Sequence, residues 1–552
     1  MEGMDYALFT PRANAAETAP AYTCLCGGCA GTSLGAGAGG NTPGDYATTP
    51  ADNAYRYVSQ AQAQGNGGVA PLMAGSKWAS VDAVTRKTVI TFSFADPASS
   101  VFNYSGNENY AATLKAFSAA DRALVHNLLD RIAAVCNVQF VEVPDNATQC
   151  GVIRYGYSSQ PAAMNYAGFA FYPSASAIGG DVWIDTNQSK AEWDFYRPNL
   201  LLHETLHALG LKHPFSGADV LAADQDIIPN TVMSYSPVAG SSSGTLSSYP
   251  AEPMVYDIQA LQYLYGASAS NAGDTVYDLS APDFQGVFHT VWDSGGRDTL
   301  DASHVARAVS IDLTGGGHSI VGQPVTAQSF GANGVTSTTR YEATLTLSDA
   351  SVIENAIGSA WDDRIAGNDA ANVLDGGAGV DTVVYAAAHA RYDVLRQGAS
   401  ATVRDVTGAT GTDTLVNVER VQFADGRLAL DIDSNAGTAA KVLGAVYGAA
   451  ALGQLQLVGG ALAQLDGGAS KLQLAQAALD AKLGAHASSG AVTDLLFTNL
   501  LGRTATAAEH VDFDALVDCY GGAALAAAAA ELPINQELVG MVGLAAHGLA
   551  YA

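Results

Sequence analysis

Positive charge is scarce in this chain. Its 552 residues include 25 Lys and Arg against 53 Asp and Glu, a formal net charge of −28. Phosphate backbones and anionic headgroups repel such a surface, which excludes nucleic acid and argues against anionic-membrane partners. Cysteine is scarce too: six residues make no disulfide scaffold. Three are bunched as Cys24, Cys26 and Cys29, and Cys519 stands alone. Cys136 and Cys150 could pair, but sequence does not fix their separation. No apolar run has the length of a membrane-spanning helix; the longest candidate, residues 523–530, is mostly alanine and stops at Glu531. The opening residues, Met1-Glu-Gly-Met-Asp-Tyr6, lack the basic and apolar regions of a standard secretory signal peptide.

What the chain does contain is Leu201-Leu-His-Glu-Thr-Leu-His-Ala-Leu-Gly-Leu-Lys-His-Pro214, with His203, Glu204, His207, Gly210 and His213 in the H-E-x-x-H-x-x-G-x-x-H pattern of a metzincin zinc site. On a helix, His203 and His207 are four residues apart and share a face, so both imidazoles can reach one ion. Glu204 lies beside that ion without ligating it and can take a proton from zinc-bound water. Gly210 can adopt the left-handed conformation that ends a helix and turns the chain back, bringing in His213 as third ligand. Pro198 suits the first turn of such a helix, and Leu202, Leu206 and Leu209 can pack it into a core. H-E-x-x-H alone arises by chance on buried helices. Here five positions are fixed, and Met233, in Thr231-Val-Met-Ser-Tyr-Ser236, adds the signal of a Met-turn beneath the zinc.

At these residues the chain resembles the serralysin family of secreted bacterial metalloproteases, over roughly residues 76 to 430. The resemblance implies zinc ligands at His203, His207 and His213, a general base at Glu204, and a Met-turn tyrosine at Tyr235 that ligates zinc at rest and swings away to stabilise the transition state. Thr205 and Leu206 stand where the family has Ile-Gly, which leaves the ligands intact. The resemblance also implies export through a one-step, type I exporter that reads a C-terminal signal.

The chain divides by texture. Residues 1–75, rich in Ala, Gly, Thr and Asn, read as a flexible leader or pro-segment; its cysteines either cap the zinc as a thiolate or are incidental, and the incidental reading is favoured. Residues 76–266 read as an α+β metzincin protease domain. Residues 87–94 alternate as a strand should. Ser118-Ala-Ala-Asp121 signals a helix start, with Leu124, Leu128, Ile132 and Val135 at helical spacing behind it, and residues 138–143 and 152–155 read as further strands. Gly168-Phe-Ala-Phe-Tyr172, carrying Gly168, Phe169, Ala170 and Phe171, matches the family's open edge strand that pairs with extended substrate. Ile258, Leu261, Leu264 and Tyr265 form an apolar helical face closed by Gly266.

Residues 267–435 read as a parallel β-roll that binds calcium. Three nine-residue copies of the G-G-x-G-x-D-x-U-x type open at Gly358, Gly367 and Gly376, with Asp363, Asn372 and Asp381 at the sixth positions and Ile365, Leu374 and Val383 at the eighth. Only the third copy, with Gly376, Gly377, Gly379 and Asp381, is complete, and Trp361 replaces a glycine in the first. Two copies complete one coil, so copies one and three stack, and Asp363 and Asp381 can share a calcium ion with turn carbonyls. The resemblance adds carbonyls of Asn271, Gly273 and Thr275 near Asp293, Gly295 and Asp298, with Val352 and Glu354 beside Gly296 and Asp298. Residues 436–552 turn Ala- and Leu-rich and read as an α-helical module. It resembles modules at the ends of secreted RTX proteins and can carry the export signal, attach the protein to a cell surface, or cap the roll.

The sequence therefore predicts a secreted, extracellular zinc endopeptidase acting on protein substrates, with one catalytic Zn²⁺ and several structural Ca²⁺ ions. The main rival is a calcium-binding adhesion protein with a vestigial protease domain, which the intact ligand set opposes. G-x-S-x-G strings at Gly31 to Gly35 and Gly240 to Gly244 raise a lipase, but neither follows an apolar strand nor opens a helix, as a nucleophile elbow must.

Overall fold

The computed structural model describes residues 48–49, 58–61, 68–104, 109–241, 243–331 and 334–552. The cluster of Cys24, Cys26 and Cys29, the serine string at 31–35 and most of the expected leader lie outside the described residues.

The first unit is built on a five-stranded sheet in the order Val138–Glu142, Thr88–Phe94, Ile153–Ser158, Asp181–Asp185, Gly168–Ala170. The first four strands run parallel, and Gly168–Ala170 closes the sheet antiparallel at its edge. Thr88–Phe94 is buried along its whole length. Its two polar residues on one face are satisfied inside the fold: Thr91 and Ser93 accept Val152 N–H and Gly151 N–H, from the chain entering the neighbouring strand. Helix Ala119–Val135 starts where Ser118 Oγ accepts the Asp121 N–H, and it buries Leu128, Ile132 and Val135. Helix Val255–Tyr265 ends at Gly266, whose φ is +84°.

The expected leader boundary at 75 falls inside this core. Leu72 is fully buried, Met73 nearly so, and both join the cluster that holds the metal-motif helix. Residues 68–75 therefore belong to the folded unit rather than to a flexible leader. One apolar pair in a Gly- and Ala-rich stretch leaves no periodic signal, which is why composition hides it.

The roll follows. In one sheet Val276–Asp278, Thr299–Asp301, Asn355–Ile357, Val373–Asp375 and Thr412–Val416 stack in parallel; in the other, Ser310–Asp312, Arg364–Ala366, Thr382–Val384 and Arg420–Gln422 do. Copies one and three thus share a sheet and copy two faces them, with Ile365, Leu374 and Val383 buried between. A hairpin, Val325–Gly331 with Gly334–Tyr341, reaches back to pair with Gly244–Leu246 of the first unit. Of the string at 240–244, Gly240 and Ser241 lie in a turn and Gly244 opens that strand. Glu252 ties the same two units, its carboxylate meeting Arg131 at 2.8 Å, His289 at 2.7 Å and Thr290 N–H at 3.0 Å. Cys136, Cys150 and Cys519 are free thiols.

From Asn435 the chain is helical, with its own alanine- and leucine-rich core. The region 436–552 is not wholly helical, however: Leu549–Tyr551 returns as a strand and pairs with Arg427–Ala429 of the roll. Three residues after Gly548, at φ +82°, are too few to show a period of two.

Candidate metal centre

Helix Arg197–Ala208 carries Pro198 in its first turn and buries every residue from Asn199 to Ala208. It ends because Gly210 sits at φ +105°, where a Cβ would fall 2.3 Å from Ser76 O. Residues 72–76 clamp the turn: Lys212 N–H donates to Leu72 O at 2.7 Å and Ala74 N–H to Gly210 O at 2.9 Å. That clamp sets the course of the chain into His213. Gly210→Ala is expected to destabilise the protein by more than about 1 kcal/mol and to weaken zinc retention. The check is chelator competition beside Gly240→Ala, a control with φ +74° and open space for its Cβ.

His203 Nδ1 donates to Val232 O at 2.8 Å and His207 Nδ1 to Leu211 O at 2.7 Å. A carbonyl only accepts, so each Nδ1 holds the proton and each Nε2 turns a lone pair inward. His213 Nε2 lies 3.1 Å from His203 Nε2 and 3.0 Å from His207 Nε2. Burial pushes His203 down to about 4, His207 to about 3 and His213 well below the usual range. Two inward lone pairs converge on the third ring nitrogen, a donor set that suits a cation. Three nitrogens around tetrahedral zinc stand ~3.4 Å apart, close to the separations here. Among the described residues, this is the one group of three or more His, Cys, Asp or Glu whose ligand atoms lie within 4.8 Å of each other.

Glu204 is buried beside the triad, with Oε2 unpartnered, and burial pushes its carboxyl up to about 8. Gly168 leaves it room, since a Cβ there would stand 3.3 Å from Glu204 Cγ, so the edge strand passes directly by the proposed base. Phe169 and Ala170 continue that strand, and Phe171 N–H extends the pairing to Asp181 O at 3.1 Å. Tyr235 Oη lies 2.9 Å from His213 Nε2. Met233 is fully buried below. Asp257 holds this turn, accepting Thr231 Oγ1 at 2.6 Å, Val232 N–H at 2.8 Å and Met254 N–H at 3.0 Å. Sequence reasoning passed over Asp257. Its only signal was an acidic residue at the third position of an otherwise apolar helix, where it caps.

The roll gathers the acidic candidates in two stacks of turns. In the first, Asp298 Oδ1 accepts Thr275 N–H and Asp298 N–H donates to Glu354 Oε2, both at 2.7 Å. Asp293 Oδ1 accepts Gly295 N–H at 2.9 Å, Thr275 Oγ1 donates to Gly273 O, and Asn271 takes φ +55°. Gly296 packs on Gly273, and Val352 lies two residues ahead of Glu354 with its side chain half exposed. In the second stack Asp363 N–H donates to Asp381 Oδ1 at 2.8 Å. Gly377 and Gly379 have φ +92° and +141°, and any Cβ there would strike Ser359 or Trp361 backbone; Gly376 packs on the Asp381 carboxylate. The Trp361 side chain escapes to solvent, which is how the first copy tolerates it. Oδ2 of both Asp298 and Asp381 is buried without a partner. Burial, with Glu419, Asp363 and Asp362 nearby, pushes Asp381 up to about 7. An all-oxygen donor set with orphaned carboxylate oxygens suits calcium.

Copy two differs. Asn372 Nδ2 donates to Glu354 O at 3.1 Å and to Asn368 Oδ1 at 2.9 Å, so amide hydrogens replace a cation's contacts. Glu419 and Asp413, unremarked in the sequence, continue the two stacks by accepting Asp381 N–H and Asn372 N–H, each at 2.9 Å.

Comparison with known proteins gives one family model and a set of similar relatives. The family model described as Peptidase M10 serralysin C terminal matches residues 256–455. Metallopeptidase AprA of Pseudomonas marginalis is 32% identical over 321 residues, 52% of this chain and 62% of that protein. Serralysin G of Dickeya chrysanthemi is 31% identical over 319 residues, 52% and 61%. Serralysin of Proteus mirabilis is 29% identical over 333 residues, 54% and 63%. The chain spans about three-fifths of the length of these curated relatives.

Proposed function

We propose that this serralysin-like chain is a secreted zinc endopeptidase that hydrolyses protein substrates. The observation that carries the reading is the convergence of three Nε2 atoms beside the buried Glu204, whose Oε2 has no partner. His203, His207 and His213 would hold zinc, which supplies Lewis acidity toward water and the scissile carbonyl. The Gly168–Ala170 edge offers free backbone groups to an extended peptide. Glu204 takes the proton of the attacking water and hands it to the leaving amine. The Tyr235 hydroxyl donates to the developing oxyanion. Residues 68–266 would form the protease domain, 267–435 the calcium-binding roll and 436–552 the C-terminal module. Calcium would bind at the turn stacks of Asp298 with Glu354 and of Asp363 with Asp381. The protein would leave the cell by a one-step exporter, with surface attachment through the helical module as a second role.

The test is digestion of a denatured protein with calcium held in excess. A zinc-selective chelator is expected to abolish cleavage, and added zinc to restore it. Cleavage indifferent to the chelator, or none from the zinc-loaded chain, would favour the vestigial-domain rival.

A further inference from the structure

The edge strand Gly168–Ala170 begins where Gly168 stands against Glu204. Followed back along the chain from Gly168, Ala167 and Tyr166 form one wall of a recess of about 70 Å³, with Asp185, Gln188 and Trp193 facing them. At ~3.3 Å per strand residue, the recess opens one to two residues along from the contact with the base. Gln188 is 4% exposed, and its Oε1 has no hydrogen-bond partner. Asp185, also buried, accepts the Asn187 N–H at 2.7 Å and the Ala162 N–H at 3.2 Å, and among the described residues no basic side chain pairs with it. The bases nearby are held elsewhere. Arg197 donates to Gln188 O at 2.7 Å and Lys190 O at 2.8 Å, and pairs with Asp121 at 3.0 Å and Asp194 at 2.5 Å. Lys115 Nζ donates to Ser189 Oγ at 3.2 Å. With Tyr166 N–H donating to Pro161 O at 2.9 Å, these contacts fix both walls in place.

We propose that this recess is a subsite for a basic side chain of the substrate, Lys or Arg, carried two to four residues from the scissile bond, with Asp185 and Gln188 as its specificity-determining residues. The proposal rests on the peptidase reading above. A buried acceptor without a donor is unfavourable, and so is a buried carboxylate without a cation. A guanidinium or ammonium carries enough N–H groups to meet both, and its charge answers that of Asp185. Trp193, in the wall, offers apolar surface to the methylene stem of such a side chain. The exposed Glu192 and Asp194 flank Trp193 and draw in the same sign of charge. Because the walls are already held, binding does not have to order them.

The experiment uses the zinc- and calcium-loaded full chain and peptides of one core sequence. Arg, Lys, Gln, Met or Glu is placed in turn at the second, third and fourth residue on each side of the scissile bond. At one of these positions the wild type is expected to prefer Arg or Lys over Gln and Met by about 10- to 100-fold in kcat/KM, the size of a charge-assisted hydrogen bond. Asp185→Asn keeps an acceptor for the Asn187 N–H and removes the charge, and is expected to bring Arg and Lys to within about threefold of Gln. Gln188→Met is expected to lower the Arg-over-Met ratio at least ~threefold, and it carries the test if Asp185→Asn does not fold. Residues that only held the fold would lower turnover on all the peptides together and leave the ratios intact; that result overturns the proposal. A wild type indifferent to charge at every position overturns it too, while the peptidase reading stands. If the zinc-loaded chain cleaves neither peptides nor denatured protein, both fall.

Discussion

Glu204→Ala is expected to lower kcat/KM by about 10²- to 10⁴-fold while the protein keeps its zinc. His203 and His207 hold their tautomers through Val232 O and Leu211 O, contacts that do not involve Glu204. The ion should therefore stay while the attacking water loses its base. Tyr235→Phe is expected to lower kcat more than it raises KM, because the proposed hydroxyl contact is made mainly in the transition state. Zinc content by metal analysis, measured with the kinetics, separates loss of the base from loss of the site. Near-wild-type turnover in a zinc-loaded Glu204→Ala protein would sink the mechanism.

The roll should respond to pH in the direction opposite to ordinary acid unfolding when no divalent cation is present. Asp381 is pushed up to about 7 in the folded roll, and burial also raises Asp298, Asp363, Asp413 and Glu419. An unfolded Asp titrates near ~3.9. The folded state thus binds the Asp381 proton more tightly, and its stabilisation is complete below the unfolded value and lost as pH rises through about 7. In chelator, strand signal in circular dichroism is expected to grow as pH falls from 8 toward 4. At pH 8, calcium at roughly 0.1–1 mM should restore it. Asp381→Ala should shift that midpoint to higher calcium. Asp381→Asn should flatten the pH response, since Asn372 already shows an amide meeting the same need with hydrogen bonds. A roll equally folded in chelator at pH 8 would rule out calcium as its folding switch.

The convergence of His203, His207 and His213 was legible because all three lie within one helix and one turn, where spacing fixes geometry. The roll's sixth and eighth positions were legible for the same reason, since a strict repeat converts sequence register into spatial register. What escaped was fixed by partners distant in the chain. Asp257 matters through Thr231 and Val232, Glu419 through Asp381, and Leu72 through the turn at Gly210. None of these pairings leaves a local pattern.

The return of Leu549–Tyr551 to Arg427–Ala429 has a topological consequence. These are adjacent strands of one antiparallel hairpin, and everything helical between them is the loop of that hairpin. Its two ends are anchored a strand spacing apart, ~4.8 Å, so the helices are an insertion and not an appendage. The flanking strands are also built into the insertion, since Ala429 and Leu549 pack in its core and Arg420 of the roll pairs with its Asp466 at 2.6 Å. The roll is in this sense a socket, and the helical unit a fitting seated in it.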